Sequence, residues 1–273
     1  MRQIHPGLRN IFYAGFFLSL MAGIQLFLLS EQTETYFAWT IQSPLTAATL
    51  GAFYFGTMIF GFLSGRERLW ANVRGPALGL FAFLTLTLLA TVLHLDKFHL
   101  TSPNWFSRAA AWLWISIYFL MQPMLVIMLI MQMRTLGNEP ERTSNIPAWT
   151  RTLLFAHGIV GCIFGLLLFF TPQVIIPIWP WVLTPLTTKA LSAWLISFSI
   201  VDFQTIWEND WQRVKIMSIG HIIFGVLPMI AMVRYANEVN WLSIVNIGYL
   251  AYLFIMLVLG IVGYIGYIRT RRA

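Results

Sequence analysis

The chain is poor in charge. Asp, Glu, Lys and Arg together make up 10% of its 273 residues, where an ordinary soluble domain carries about 25%. A soluble domain of this length has too little interior for the 58% of residues that are hydrophobic; lipid is the implied solvent. One cysteine is present, Cys162, inside the apolar run GIVGCIFGLLLFF, so no internal disulfide can form and the thiol reads as a small packing group. Phosphate-cradling Gly-rich loops, HExxH and GxSxG are absent, and no polar segment is long enough for a nucleotide-binding domain. No catalytic residue can be named, and any chemistry would have to occur inside or at the edge of a bilayer.

What is present is hydrophobic length. Mean hydropathy is +0.73, and eight runs approach the roughly 20 apolar residues that span a bilayer. They lie at about 10–30, 43–64, 76–95, 109–133, 152–171, 185–206, 216–235 and 241–268. Nine of the twelve tryptophans (Trp39, Trp70, Trp105, Trp149, Trp179, Trp181, Trp207, Trp211, Trp241) fall near these boundaries, at the headgroup level that indole prefers. The first run is too long for a signal-peptide core and no small-residue cleavage site follows it, so it is expected to remain as a span. The net charge of +7 does not indicate nucleic acid, because the basic residues are scattered over loops rather than striped along a face. Thirteen Lys and Arg side chains fall on one side of the expected topology and four (Lys97, Arg108, Lys189, Arg234) on the other. This bias places both termini in the cytoplasm of a multi-pass plasma-membrane protein.

The stretch IQSPLTAATLGAFY is echoed by WVLTPLTTKALSAW, their prolines Pro44 and Pro185 lying 141 residues apart. Without gaps, 44–92 and 185–233 share fifteen identities in forty-nine positions, among them Pro44/Pro185, Leu45/Leu186, Thr46/Thr187, Glu67/Glu208 and Trp70/Trp211. Composition explains apolar matches; it does not explain the Pro-Leu-Thr trio or the loop Glu and Trp. Four spans separate equivalent helices, so the halves share an orientation and a pseudo-two-fold along the membrane normal is expected. The fold class is therefore all-α, with eight transmembrane helices as two parallel four-helix repeats, residues 1–140 and 141–273. Glycines at 61, 65, 161, 165, 260, 263 and 266 offer close-packing seams, within the chain or to a protein partner or second copy.

FAWTIQSPLTAATLGAFY, RERLWANVR, LLATVLHLDKFHL and WPWVLTPLTTKALSAWL followed by ENDWQRVK resemble an uncharacterised family of bacterial polytopic membrane proteins. Each half also resembles DoxX-like four-helix membrane units in its Gly-rich first helix and the small residues of its second. Neither resemblance implies a substrate.

Two polar groups stand out. On the outer side, His94, Asp96 and His99 end the third span, Lys189 lies four residues inside the sixth, and Arg234 ends the seventh. Together they could rim an outward cleft for an anionic or zwitterionic ligand; the alternative is snorkelling to headgroups. Two residues apart, His94 and Asp96 do not share a helix face, which counts against a metal there. Nearer the cytoplasmic side lie His157, Asp202 and His221, whose first-half counterparts are apolar or glycine, Gly61 for Asp202 and Leu80 for His221. A proton path, a bis-imidazole haem or a hydrogen-bonded lock fits these three, with the lock preferred and neither haem nor metal expected. A methionine stripe in the fourth span (Met121, Met124, Met128, Met131) lacks the Cys or His that copper transport would need and reads as packing. The functional expectation is binding or movement of a small or lipophilic molecule between the repeats. The alternatives are an accessory subunit of a membrane complex and a membrane-embedded redox-type enzyme.

Overall fold

The computed structural model describes residues 1–272; Ala273 and the Arg272 side chain, at the end of the second expected repeat, lie outside the described residues. Among them, eight helices are long and apolar enough to cross a membrane. These are α1 (Pro6–Gly23, continued by a wider π turn, Ile24–Leu28), α2 (Pro44–Arg66), α3 (Arg74–Leu93) and α4 (Trp105–Arg134). The second set is α5 (Ala148–Phe170), α6 (Pro185–Glu208), α7 (Lys215–Arg234) and α8 (Ile244–Arg272).

The helix starts are written in the sequence. Pro44 and Pro185 occupy the first turn, where a missing N–H costs nothing. Ser43 Oγ accepts the Thr46 N–H at 3.1 Å. Thr184 and Thr187 form a reciprocal capping box, satisfying donors that the helix itself leaves open. At the far end of α6, Asn209 takes a left-handed conformation (φ 46°), one of the few side chains that tolerates it, and the chain turns out of the helix.

The most polar windows are the most enclosed. For both α2 and α6, 67% of the apolar window is buried, against 22% for α4, so α2 and α6 are central and α4 rides the lipid-facing rim. Met124 and Met131 face outward there, so the methionine stripe packs only in part. α2 packs chiefly on α1 and α7, and α6 chiefly on α5 and α3. Where the central helices meet, aromatic rings fill the middle: Phe83 to Trp194 at 4.6 Å, Tyr54 to Trp194 at 4.8 Å and Phe198 to Phe224 at 4.5 Å between centroids. Each such pair adds about 0.5–1.5 kcal/mol beyond its buried area. A cavity of only about 50 Å³ remains between the halves here, bordered by Phe60, Leu80, Trp194 and His221.

The glycine seams are used inside the chain. An added Cβ at Gly61 would meet the Phe12 carbonyl of α1 at 2.8 Å, and one at Gly260 the α7 backbone at 2.7 Å. Gly65 faces the Tyr13 ring, Gly165 Ile196, Gly263 Ser218 and Gly266 the Trp211 ring.

At the end carrying both termini, Arg74 joins Glu139 (2.6 Å) to Glu208 (2.9 Å). Arg213 also holds Glu208 and donates to the Pro140 carbonyl. Asp210 accepts the Thr143 N–H and the Ser144 hydroxyl, both at 3.0 Å. These ties clamp the long 135–147 connection to the helix ends.

Candidate functional site

His157, nine residues into α5, Asp202, six from the end of α6, and His221, six into α7, lie at a common depth, because each residue advances a helix by about 1.5 Å. They meet. His157 Nδ1 lies 2.6 Å from Asp202 Oδ2, and His221 Nε2 lies 2.8 Å from Asp202 Oδ1. All three side chains are sealed from solvent. Each histidine takes its own carboxylate oxygen. The ligating atoms lie within 4.8 Å of one another, so the set has the composition of a transition-metal site. Its N···O spacings, however, are those of direct hydrogen bonds.

The hydrogens can be counted. His221 Nδ1 lies 3.1 Å from the Met217 carbonyl. A carbonyl only accepts, so Nδ1 carries a hydrogen. A neutral His221 would then turn a bare Nε2 lone pair toward Asp202 Oδ1, acceptor against acceptor. One more proton must lie between them, on the nitrogen or on the oxygen. With the His157 Nδ1 hydrogen donated to Oδ2, the triad is electroneutral, which suits its depth, since an unpaired carboxylate there would be very costly.

The fourth wall is aromatic. The Tyr252 ring of α8 stacks on His157 with centroids 4.1 Å apart and planes 13° off parallel. Among the described residues, the Tyr252 hydroxyl and His157 Nε2 are both buried without a hydrogen-bond partner. Tyr252 also lines a cavity of about 270 Å³ bounded by Gly161 and Phe164 of α5, Leu195 of α6, Gly248 and Tyr249 of α8, and Trp179. Gly161 makes this space: a Cβ there would come within 2.6 Å of the Tyr252 oxygen and 2.7 Å of Ser199 Oγ. The Tyr249 hydroxyl and Trp179 Nε1 are also buried and unpartnered. Val160, Phe164 and Ile244 on its rim are exposed, so the cavity opens sideways toward lipid.

The outer group is not brought together in this way. His94 Nδ1 bonds its own helix at the Ala90 carbonyl (3.0 Å). His99 bridges Thr40 (3.0 Å) and the Phe37 carbonyl (3.1 Å). Lys189 donates to the Phe169 carbonyl, its ammonium 4.7 Å from the Phe169 ring centre. Arg234 donates to the Phe27 carbonyl at 2.5 Å. Asp96 pairs with Lys97 at 2.8 Å, and that ammonium holds its carboxyl below the ordinary range. Among the described residues, no hydrogen bond links any two of His94, Asp96, His99, Lys189 and Arg234.

The sign of the Asp96 shift makes its contribution present above the unfolded carboxyl's pKa and lost as pH falls through the folded value. Full exposure screens it. Asp96→Asn is therefore expected to leave the thermal midpoint of the detergent-solubilised protein unchanged at neutral pH; a clear drop would mean that the Asp96–Lys97 pair supports the outer end.

Tyr249, Tyr252 and Gly248 do not stand out in the sequence, and Trp179 stands out there only as a boundary aromatic. The available signal was a pair of tyrosines three apart on one face of an otherwise apolar helix, with a glycine beside them. No protein-family model, curated protein or solved structure matches this chain.

Proposed function

We propose that this is a plasma-membrane protein with both termini cytoplasmic, built from two parallel four-helix repeats, and that it binds a small lipophilic molecule at a site kept in the second repeat alone. Recurrent geometry supports the duplication. Short 3-10 turns occur at Trp70–Asn72 and Trp211–Arg213, and again at Leu95–Lys97 and Ala236–Glu238, and α3 and α7 start and stop in register with them. The Trp70 N–H donates to the Arg2 carbonyl (3.1 Å) and the Trp211 N–H to Ser144 (2.9 Å). The His99 N–H donates to Ala38 and the Asn240 N–H to Pro180, both at 2.9 Å. The packing of α2 on α1 and α7 is echoed by that of α6 on α5 and α3.

The observation that carries the functional reading is a difference between the halves. Trp114 packs on Phe37 (5.5 Å) as Tyr249 packs on Trp179 (5.7 Å), which aligns α4 with α8. Beside Trp114 the first half has a cavity of about 50 Å³, lined by Leu18, Ala22, Gln25, Phe37, Leu113 and Ile117. In the second half the matching space is about 270 Å³, with Gly248 where Leu113 stands and Tyr252 where Ile117 stands. The second-half space is the larger of the two and its wall is almost wholly apolar, with the Tyr249 and Tyr252 hydroxyls and Trp179 Nε1 buried beside it. The first-half space is smaller and takes the polar Gln25 into its lining. An almost wholly apolar wall calls for an occupant with an apolar body. An acceptor oxygen on it would pair with the buried Trp179 Nε1, which can only donate, once that ring turns toward it, the usual composition of a small-molecule site. It reaches the cavity from the bilayer through the gap between α5 and α8.

Gly248 supplies the test. A Cβ there meets nothing within 4 Å, so Gly248→Leu fills the cavity and removes a helix-weakening glycine worth about 0.5–1 kcal/mol. The variant is expected to fold at least as well as the parent and to lose a lipophilic species that co-purifies with it, compared by mass spectrometry of organic extracts. Identical extracts from both proteins would remove the binding reading.

A further inference from the structure

We propose that His157, Asp202 and His221 form a proton-binding site that holds one dissociable proton between Asp202 Oδ1 and His221 Nε2, linked to the cavity through Tyr252. The linkage rests on the cavity reading above; the proton site itself does not.

The groups that face Asp202 are few. α5 presents His157, α7 His221, and α8 Tyr252 with Tyr249 one turn beyond. From α3, Gly75 and Gly79 lie against Val201 and contribute no charge. On its own helix the next ionisable side chain is Glu208, already held by Arg74 and Arg213. Among the described residues, no arginine or lysine bonds Asp202, so its charge is balanced within the triad. A bound proton does this with two satisfied hydrogen bonds. A divalent metal would be held by three ligands whose N···O spacings of 2.6 and 2.8 Å suit a hydrogen better than an interposed ion.

Two protonation states are available to this geometry. In the loaded state every bond described above is made and the triad is neutral. On loss of the proton, His221 must either keep its Nδ1 hydrogen on Met217 and face Asp202 with a bare nitrogen, or move that hydrogen to Nε2 and give up the carbonyl. The unloaded triad carries one negative charge. His157 passes this change on, because the ring stacked on it belongs to Tyr252, which lines the cavity and whose hydroxyl is buried without a partner among the described residues. A negative triad disfavours an acceptor oxygen placed in the cavity beside Tyr252. Ligand uptake is thereby tied to proton occupancy.

Asp202→Asn separates the readings. An asparagine offers an oxygen to His157 Nδ1–H and an N–H to His221 Nε2, so it reproduces the loaded state with neutral histidines and no exchangeable proton. The full-length protein in lipid nanodiscs is titrated by infrared difference spectroscopy from about pH 4 to about pH 10, a range covering ordinary and shifted carboxyls. Metal content is measured on the same samples. The expected result is metal-free wild type with one titration, in the carboxyl or the imidazole bands, that Asp202→Asn lacks, the variant being as stable as the parent. Stoichiometric metal in the wild type, or no carboxyl or imidazole titration that depends on Asp202, overturns the proton site.

The linkage is read with 11-bromoundecanol as a probe, through its quenching of tryptophan fluorescence and the part of that quenching lost in Gly248→Leu. Wild-type affinity is expected to fall about threefold to tenfold as the triad loses its proton, the scale of a partly screened charge acting across a protein interior. Asp202→Asn should bind without that pH dependence. If the variant keeps the dependence, the linkage is wrong. If Gly248→Leu quenches like wild type, the cavity reading and the linkage fall together, while the infrared titration still decides the proton site.

Discussion

Asp202→Ala is expected to lower the unfolding free energy by about 3–5 kcal/mol, the range for removing one partner of a buried charged pair. The carboxylate is the acceptor for His157 at 2.6 Å and faces His221 at 2.8 Å, in a pocket without solvent. Alanine strands the His157 Nδ1–H, and a stranded buried donor costs about 1–3 kcal/mol. His221 can shed its second hydrogen and become neutral, but its Nε2 then has no donor. The vacated volume adds a packing loss. The loss should appear as a lowered midpoint in detergent-induced unfolding, with Asp202→Asn close to wild type. An alanine variant within about 1 kcal/mol of the parent, a typical surface-like effect, would mean that the triad contributes little to holding α5, α6 and α7 together.

Hydropathy found all eight helices, and the disagreements are at their ends. The first span was expected from about residue 10 but begins at Pro6, because His5 Nδ1 accepts the Gly7 N–H at 3.1 Å and caps the helix early. The last was expected from about residue 241 but begins at Ile244. The Asn240 N–H is committed to the Pro180 carbonyl, which keeps the preceding residues in a turn. Such contacts join residues far apart in the chain, and no local pattern announces them.

Asp202 and the two histidines were legible because ionisable groups are rare in apolar helices and expensive unless they meet. The cavity was not legible in the same way. Tyr249, Tyr252 and Gly248 are ordinary in a membrane helix, and their meaning depends on how far α8 stands from α5. The outer cations illustrate the opposite case. Lys189 and Arg234 looked like two sides of one cleft, yet each reaches the nearest open carbonyl, Phe169 at the end of α5 and Phe27 in the π turn after α1. Helix ends leave such acceptors free, and a long cationic chain near one takes it before any distant partner.

The second large effect is expected where the first half is tightest. Gly51 of α2 lies against the π turn that ends α1, and an added Cβ would sit 2.3 Å from the Phe27 nitrogen, 2.7 Å from the Leu26 carbonyl carbon and 2.8 Å from Phe27 Cα. All three are backbone atoms, so no side chain can rotate away. Gly61, on the same helix, is closed by the Phe12 carbonyl. At the positions 141 residues later stand Ser192 and Asp202, both buried, so α5 and α6 leave room for side chains where α1 and α2 do not. That extra room is what admits His157 and the triad. Gly51→Ala is therefore expected to push α1 off α2 and to cost about 3 kcal/mol, the upper end for an overpacked core. Ser192→Gly, the reverse change at the matching position, should lose only about 1 kcal/mol through helix propensity. Unfolding midpoints of the two variants measured side by side decide the point: similar losses, or an alanine at Gly51 that costs nothing, would mean that glycine contact does not set the α1–α2 spacing.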